Sequence, residues 1–374
     1  MDRPELEREI ARFDPEVPLA RASTPPASWY TEPAMLQRER ETVFRRAWVF
    51  ACRADQVARP GAAVAVDVCG DPYVVIRGAD GALRAFHNAC RHHGARLVDG
   101  ETCAESVVCP YHGWTYALDG ALKSAPRSAG LEDFRREEWG LVPVQVAAWG
   151  PIVLLHAGKP KQEPADELAD LAPLLEPERV ARYTWVARRT YPMRCNWKVF
   201  VDNYLDGGYH IPHLHGNLAS QLDLATYETT LFARCNVQTS RPHPTPGSSR
   251  GQDLSARIGA GAVYAWIYPN LMLNRYGPIL DSNLVVPTGP TSCEVVFDYW
   301  YDGDPAGARA FLDASIENSD VTQLEDVWIS EQVQRGLASR AYDRGRYAPT
   351  VEIAMHHFHR QLASDLKRLE GAPC

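Results

Sequence analysis

Two groups of histidines, cysteines and acids in this chain have spacings suited to holding metal. The first is Cys90-Arg91-His92, followed after sixteen residues by Cys109-Pro110-Tyr111-His112. Each half carries one thiol and one imidazole within three or four positions, so one tight loop can aim both at a single centre. Two Cys and two His can bind zinc. They can also bind a two-iron, two-sulfur cluster in which His replaces Cys on one iron. Zinc fingers place like ligands together; each half here holds one of each kind, which favours the cluster. His93 reads as a structural residue or a contact to a partner domain, and Cys103 fits no ligand spacing. The second group begins with His210, His213 and His215, three of the twelve histidines within six residues. Oxygen-activating ferrous iron is commonly held by two His and one carboxylate on one face, with positions left open. His210 and His213 would share a face of an unbroken helix, but Pro212 interrupts it, so spacing alone does not choose the pair. The carboxylate must come from elsewhere. Residues 323–334 form a helix candidate with acids in a row, and Asp326, Glu325 and Asp320 are the candidates. A charge run of this kind is also what a solvated helix face shows.

The elements that must position these groups fall into two kinds. Residues 1–40 form an N-terminal segment expected to pack on the larger domain, and apolar spacing predicts a helix over 33–48. From 41 to 158 the text is β-type: short runs at 62–68, 73–76, 83–87, 106–108, 114–118, 142–146 and 152–156, separated by turn residues such as Gly78-Ala79-Asp80-Gly81. This predicts a small all-β domain carrying the first group. A proline- and acid-rich connection over 160–178 leads to a second domain, 177–374, that mixes strands (180–191, 295–301) with helices (198–209, 306–337). The fold class is α+β.

Composition narrows the function. With 45% hydrophobic and 23% charged residues the chain reads as an ordinary globular protein. No apolar run approaches the ~20 residues needed to cross a membrane. The net charge of −8 is interspersed, without the basic stripe of a nucleic-acid binder, and is suited to a cationic substrate or a basic redox partner. Nine cysteines, an odd number unevenly spaced, do not read as a disulfide framework. The charged first thirteen residues have no apolar stretch behind a basic cluster, so no secretory leader is expected and the expected location is cytoplasmic.

Both groups, in this order and spacing, resemble the oxygenase (alpha) component of the Rieske non-haem iron oxygenases. The resemblance is greatest to the branch of choline monooxygenase and bacterial relatives that oxidise quaternary ammonium compounds. The residues that carry it are Pro25-Pro26-Ala27-Ser28-Trp29-Tyr30-Thr31, Cys109-Pro110-Tyr111-His112-Gly113-Trp114, Asp202-Asn203-Tyr204-Leu205-Asp206-Gly207-Gly208-Tyr209-His210 and Glu331-Gln332-Val333-Gln334-Arg335-Gly336-Leu337. The resemblance implies Cys90, His92, Cys109 and His112 as ligands of a [2Fe–2S] cluster, and His210, His215 and Asp326 as ligands of a mononuclear Fe(II), leaving His213 as a supporting or packing residue. It implies a Rieske domain plus a helix-grip catalytic domain, with a long antiparallel sheet wrapped around a helix. It further implies electrons drawn from NAD(P)H through a separate reductase or ferredoxin, dioxygen as co-substrate, and a homo-oligomer, usually a trimer, in which one subunit's cluster serves its neighbour's iron. One departure stands out. Many members carry an acid three residues before the first iron-binding His, bridging the two centres. That position is Gly207 here, and the acid, Asp206, comes one residue earlier; Asp202 is the alternative bridge, and Asn203 of the same motif is a further catalytic candidate.

The expected reaction is hydroxylation or N-demethylation of a small quaternary ammonium compound. Candidate walls for a cation are Tyr264, Trp266 and Tyr268, and Tyr299, Trp300 and Tyr301, since aromatic faces hold trimethylammonium groups; alternating aromatics on a strand are also ordinary core. Arg275 is the candidate for a substrate carboxylate. The competing expectations are an oxygenase for an aromatic or heterocyclic acid, an electron carrier, and a zinc-stabilised binding protein.

Overall fold

The computed structural model describes residues 1–244, 248–249, 252–253 and 255–368; Cys374 lies outside them. Its described residues divide into two units, Phe44–Asp166, and Met1–Val43 together with the described residues from Glu167 to Arg368. Among the described residues no helix is long and apolar enough to cross a membrane.

The smaller unit is mainly β, with short 3₁₀ turns. One antiparallel sheet runs in the order Val49–Arg53, Ile152–His156, Pro143–Trp149, Leu83–His87, Asp71–Arg77, Ala62–Val68, Glu101–Cys103. A three-stranded sheet, Val107–Val108, Thr115–Tyr116 and Leu122–Ser124, completes it. Its hairpins are set by turn chemistry. At Cys69-Gly70 both residues take positive φ, 52° and 90°, and Asp67 accepts the Gly70 N–H at 2.6 Å, an Asx cap on a two-residue turn. Under the second sheet lies a core of Val74, Ile76, Phe86, Trp114, Tyr116 and Leu122 that includes Cys90 and Cys109.

The larger unit is built on a seven-stranded antiparallel sheet: Thr184–Met193, Ser292–Tyr301, Ile279–Gly289, Leu271–Tyr276, Ala262–Ile267, Cys235–Pro242, Leu222–Leu231. Its helices include Trp197–Tyr204, Arg309–Leu337 and Ile353–Leu366. The first is capped by the Asn196 side chain, which accepts the Lys198 N–H at 3.0 Å; such a cap contributes about 1 kcal/mol. It ends at Tyr204, short of the expected residue 209. Gly207 and Gly208 adopt φ of 72° and 75°, a left-handed stretch that cannot continue a helix and that glycine enters without strain. The predicted helix over 33–48 stops at Thr42 and passes through a 3₁₀ turn, Phe44–Arg46.

The N-terminal segment is tied in by a fully buried ion pair. Glu39, on the helix Pro33–Thr42, meets Lys198 Nζ at 2.5 Å, both side chains being 0% exposed, and also accepts the Trp197 indole N–H at 2.8 Å. Burial pushes the Glu39 carboxyl up and the Lys198 ammonium down, each against the pull of the other. Two charges taken out of water together are tolerable; either alone costs several kcal/mol.

Candidate metal centres

The first group is held on two loops of the same design. Cys90 starts one and Cys109 the other. Four residues after each, a glycine with positive φ (Gly94, 73°; Gly113, 71°) turns back, and its N–H donates to the cysteine carbonyl at 2.8 and 3.1 Å. Each cysteine N–H is fixed in turn, to the Ala95 and Trp114 carbonyls at 2.8 and 2.7 Å. Asn88, buried before the first loop, accepts from the Leu97 and Val98 N–H groups and donates to the Val98 carbonyl. Tyr116 accepts the Arg91 N–H at 2.9 Å, and its hydroxyl lies 3.3 Å from Cys90 Sγ.

The donors are divided between two ends. The two cysteines are buried. Burial pushes the Cys109 thiol up, but the Tyr111 and His112 N–H groups and Cys90 outweigh it and bring it down, which favours the thiolate a metal needs. The His92 and His112 rings lie 4.8 Å apart, centroid to centroid. Their donor nitrogens, with one from His93, fall within 4.8 Å of one another, and neither cysteine belongs to that group. One zinc ion would draw all four ligands round a single point; a cysteine end and a histidine end suit a two-iron cluster. His92 also presents a buried Nδ1 with no hydrogen-bond partner, an orphan that a metal would satisfy. His112 is exposed under the Tyr111 ring at 3.7 Å. Cys103 is exposed on its strand, 3.8 Å from the Pro60 carbonyl.

The second group brings together His210, His215 and Asp326. Asp326 Oδ1 is 3.0 Å from His215 Nε2 and 3.9 Å from His210 Nε2, and the two rings are nearly perpendicular, with centroids 4.9 Å apart. The opposite ring nitrogens are occupied. His210 Nδ1 lies 2.7 Å from Asp206 Oδ2, and His215 Nδ1 lies 2.7 Å from Glu325 Oε2. Asn203 donates its amide to Asp326 Oδ1 at 2.7 Å. Both rings are therefore held by carboxylates with Nε2 turned to the common centre, the arrangement that fixes a metal-binding imidazole. Burial pulls the His215 imidazole down, but Asp326 and Glu325 outweigh it and raise it.

The other candidates lie apart. His213 is exposed and outside the trio. Asp320 accepts the Tyr191 hydroxyl and lies 3.7 Å from Arg189. Asp202 accepts the Tyr30 hydroxyl at 2.7 Å and meets His359 Nε2 at 2.8 Å. Of the two bridge candidates Asp206 is the one that touches a ring of the trio. A Cβ at Gly207 would lie 2.2 Å from the Val351 carbonyl oxygen, so this backbone excludes an acid at the position where many family members carry one. The left-handed glycine pair lets Asp206 reach back, accepting the Tyr209 and His210 N–H groups at 3.1 and 2.9 Å.

A cavity of about 120 Å³ opens beside the trio, walled in part by Phe200, Tyr204, Tyr227, Tyr264, Tyr276 and Phe297. Of the six aromatic residues expected as cation walls only Tyr264 is there. Trp266 shares its strand face but lies two residues deeper, against Phe358, and Tyr268 donates to Asp365. Trp300 is core, and Tyr301 packs on Phe311. Tyr204, Tyr227 and Tyr276 were missed because each stands alone in a mixed strand or helix, with no aromatic run to mark it. Arg275 is also elsewhere: it pairs with Glu176 and donates to the Leu174 carbonyl at 3.0 Å.

Comparison with known proteins matches the chain to two domain families. Residues 47–135 match the Rieske [2Fe-2S] domain, and residues 180–367 match the ring hydroxylating alpha subunit (catalytic domain). The chain is 44% identical over 374 residues to the chloroplastic choline monooxygenase of Arabidopsis thaliana, covering 97% of this chain and 87% of that one. It is 31% identical to the carnitine monooxygenase oxygenase subunit of Escherichia coli strain K12, covering 92% and 94%. A solved quaternary ammonium Rieske monooxygenase superposes with a TM-score of 0.82 at 27% identity, over 96% of this chain and 98% of that one. Proteins of this kind carry a Rieske cluster and a mononuclear iron and draw electrons from a separate donor. With two family domains in the expected order and a relative this similar along nearly its whole length, the chain belongs to the Rieske non-haem iron oxygenases, as an alpha subunit with its catalytic domain.

Proposed function

We propose that the protein is the terminal oxygenase of an electron-transfer system and oxidises a quaternary ammonium compound by hydroxylation or N-demethylation. The observation that carries this reading is the aromatic cavity beside His210, His215 and Asp326. Burial pushes the hydroxyls of Tyr204, Tyr227, Tyr264 and Tyr276 up, so all four stay neutral and offer π faces. A trimethylammonium group keeps its charge at any pH and has no N–H to donate, so aromatic faces are its natural partner. The relatives named for choline and carnitine oxidation support the same class.

In this reading Cys90, His92, Cys109 and His112 hold the cluster, and His210, His215 and Asp326 hold the iron. When bound, these groups store single electrons and reduce dioxygen next to the substrate. The protein's part is positioning. Glu325 and Asp206 fix the two imidazoles from behind, Asn203 holds the carboxylate, and Asp206 is the proposed bridge for the electron. Overall, dioxygen takes two electrons and two protons; one oxygen atom enters a C–H bond and the other leaves as water. On an N-methyl group the N-hydroxymethyl product breaks to a tertiary amine, formaldehyde and a proton. The electrons come from NAD(P)H through a separate reductase or ferredoxin.

We also propose a homo-oligomer, most simply a trimeric ring. Inter-subunit electron transfer is described for the solved relative, and Leu324 and Trp328, one turn apart on the long helix, are more than half exposed. The cytoplasm is the proposed compartment, in line with nine unevenly spaced cysteines that do not read as a disulfide framework. The test is a single turnover. Protein reduced chemically and freed of reductant is mixed with dioxygen and a panel of choline, betaines, carnitine and aromatic acids, and products are read by mass spectrometry. Oxygenated or demethylated quaternary amines are expected; a product from an aromatic acid alone overturns the substrate class.

A further inference from the structure

The cavity beside the trio has two ends of different chemistry. At the metal end Tyr227 lies against the turn before His210, within about 3 Å of a Cβ built on Gly208. Away from it stands Arg257, 5% exposed and lining the same cavity. Its guanidinium lies over the Tyr276 ring, 4.4 Å from the centroid. Its two terminal nitrogens reach only neutral acceptors, Gln221 Oε1 at 3.3 Å and Ser319 Oγ at 3.1 Å. Its Nε is buried and has no hydrogen-bond partner. Among the described residues Arg257 makes no ion pair. Asp281, whose charge it feels, is served by other donors: Asn274 at 2.8 Å, Asn283 at 2.9 Å and the Tyr276 hydroxyl.

A second donor in the same cavity is unsatisfied. Gln323 is 2% exposed, and its Nε2 is buried without a partner. It follows Ser319 by four residues on the helix Arg309–Leu337, so both lie on one face, and Asp326 is three residues further on. Seven residues of helix rise about 10 Å, which sets the level of Ser319, and of the guanidinium bonded to it, well apart from that of the carboxylate ligand.

A buried guanidinium with only neutral acceptors and an unpartnered Nε, and a buried amide nitrogen with no acceptor, are costly, and a planar carboxylate is the group that best fits the guanidinium fork. We propose that Arg257 and Gln323 form the carboxylate-binding end of the substrate cavity, so that the substrate is a zwitterion, a quaternary ammonium group joined to a carboxylate, held with its N-methyl groups toward His210, His215 and Asp326. Choline, with no carboxylate, leaves this end unpaired. Arg257 and Gln323 are specificity residues and take no part in the chemistry.

This proposal rests on the quaternary ammonium reading, and the experiment separates the two. Anaerobic calorimetry on the full-length protein with both metal centres loaded would compare glycine betaine and γ-butyrobetaine with their methyl esters and with choline. The better of the two acids is expected to bind at least about tenfold tighter than its own ester and than choline, a margin of about 1.4 kcal/mol. Arg257→Gln should remove that margin, and Arg257→Lys should restore part of it. The acid-to-ester comparison needs no variant, so a misfolded substitution leaves it intact. Esters or choline binding as tightly as both acids overturns the carboxylate end and leaves the quaternary ammonium reading standing. No binding of any quaternary amine, with turnover of another class, overturns both.

Discussion

Glu325 and Asp326 are neighbours in the chain and act on opposite sides of one imidazole. A residue step on a helix turns a side chain by about 100°, so Asp326 aims Oδ1 at the Nε2 side of His210 and His215 while Glu325 reaches His215 Nδ1 from behind. A carboxylate in that rear position raises ligand basicity and fixes the ring. Glu325→Gln is therefore expected to weaken iron affinity about 10- to 100-fold, measured by chelator competition, with the cluster absorption unchanged; an unchanged affinity would remove Glu325 from the site. Asp206→Asn, assayed with iron supplied in excess because Asp206 also holds the His210 ring, should slow cluster reoxidation in the presence of substrate and dioxygen by roughly tenfold or more, a barrier of about 1.4 kcal/mol. A normal rate would show that Asp206 is not the bridge. Much of this site was legible because ligand chemistry fixes residue type and spacing. The substrate end was less so, and alternation explains why. Asn274 and Tyr276 line the cavity, so Arg275 between them must point from the other face of the strand. Arg257 comes from the short helix Ser255–Ile258, where no periodicity marks a pocket residue.

Elements decide how those residues are presented. The pair Gly207-Gly208 is needed by geometry, since Val351 stands where a side chain at 207 would go. Gly207→Ala should destabilise the protein by at least about 1–3 kcal/mol in thermal unfolding; an unchanged melting temperature would mean that the turn can shift at little cost. The helix Ile353–Leu366 was not expected from the sequence, although Ala354, Phe358, Leu362 and Leu366 recur every four residues. Its buried face also carries His356, His359 and Asp365, and these polar residues blur the apolar stripe. Two histidines of this helix make it pH-sensitive. Burial, reinforced by neighbouring cations, pushes His356 and His357 down to about 4 from the usual 6.5. Between these values the unfolded chain binds more protons than the fold does, so stability is complete above about pH 6.5 and declines as pH falls toward 4. His356 stands between Phe13 and Tyr347 with its Nε2 unpartnered. His356→Phe should therefore flatten the acid side of the melting temperature plotted against pH without lowering its neutral value by much. An unchanged slope would exclude His356 as a source of acid sensitivity.

At the scale of the whole molecule the question is how electrons travel between the two centres. Each of the two units carries one candidate centre, and in the proposed ring a cluster serves the iron of the next subunit. A head-to-tail ring makes every interface the same, with one side giving and the other receiving. This can be tested by mixing two defective chains. His92→Ala removes a proposed cluster ligand, and Asp326→Ala removes a proposed iron ligand, so neither chain alone should turn over. In rings assembled from equal amounts of both, half the subunits keep a cluster, and half of their acceptor neighbours keep an iron. About a quarter of the interfaces in the unsorted rings then join two intact centres, and about a third of those in trimers that contain both chains, so about a third of the wild-type single-turnover yield should return from the isolated mixed rings. If the electron passes within one chain, no chain in the mixture has both centres and the yield stays at zero. Co-expression with two different affinity tags, followed by sequential purification, isolates the mixed rings, so a zero yield from rings shown to contain both chains would count against transfer between subunits.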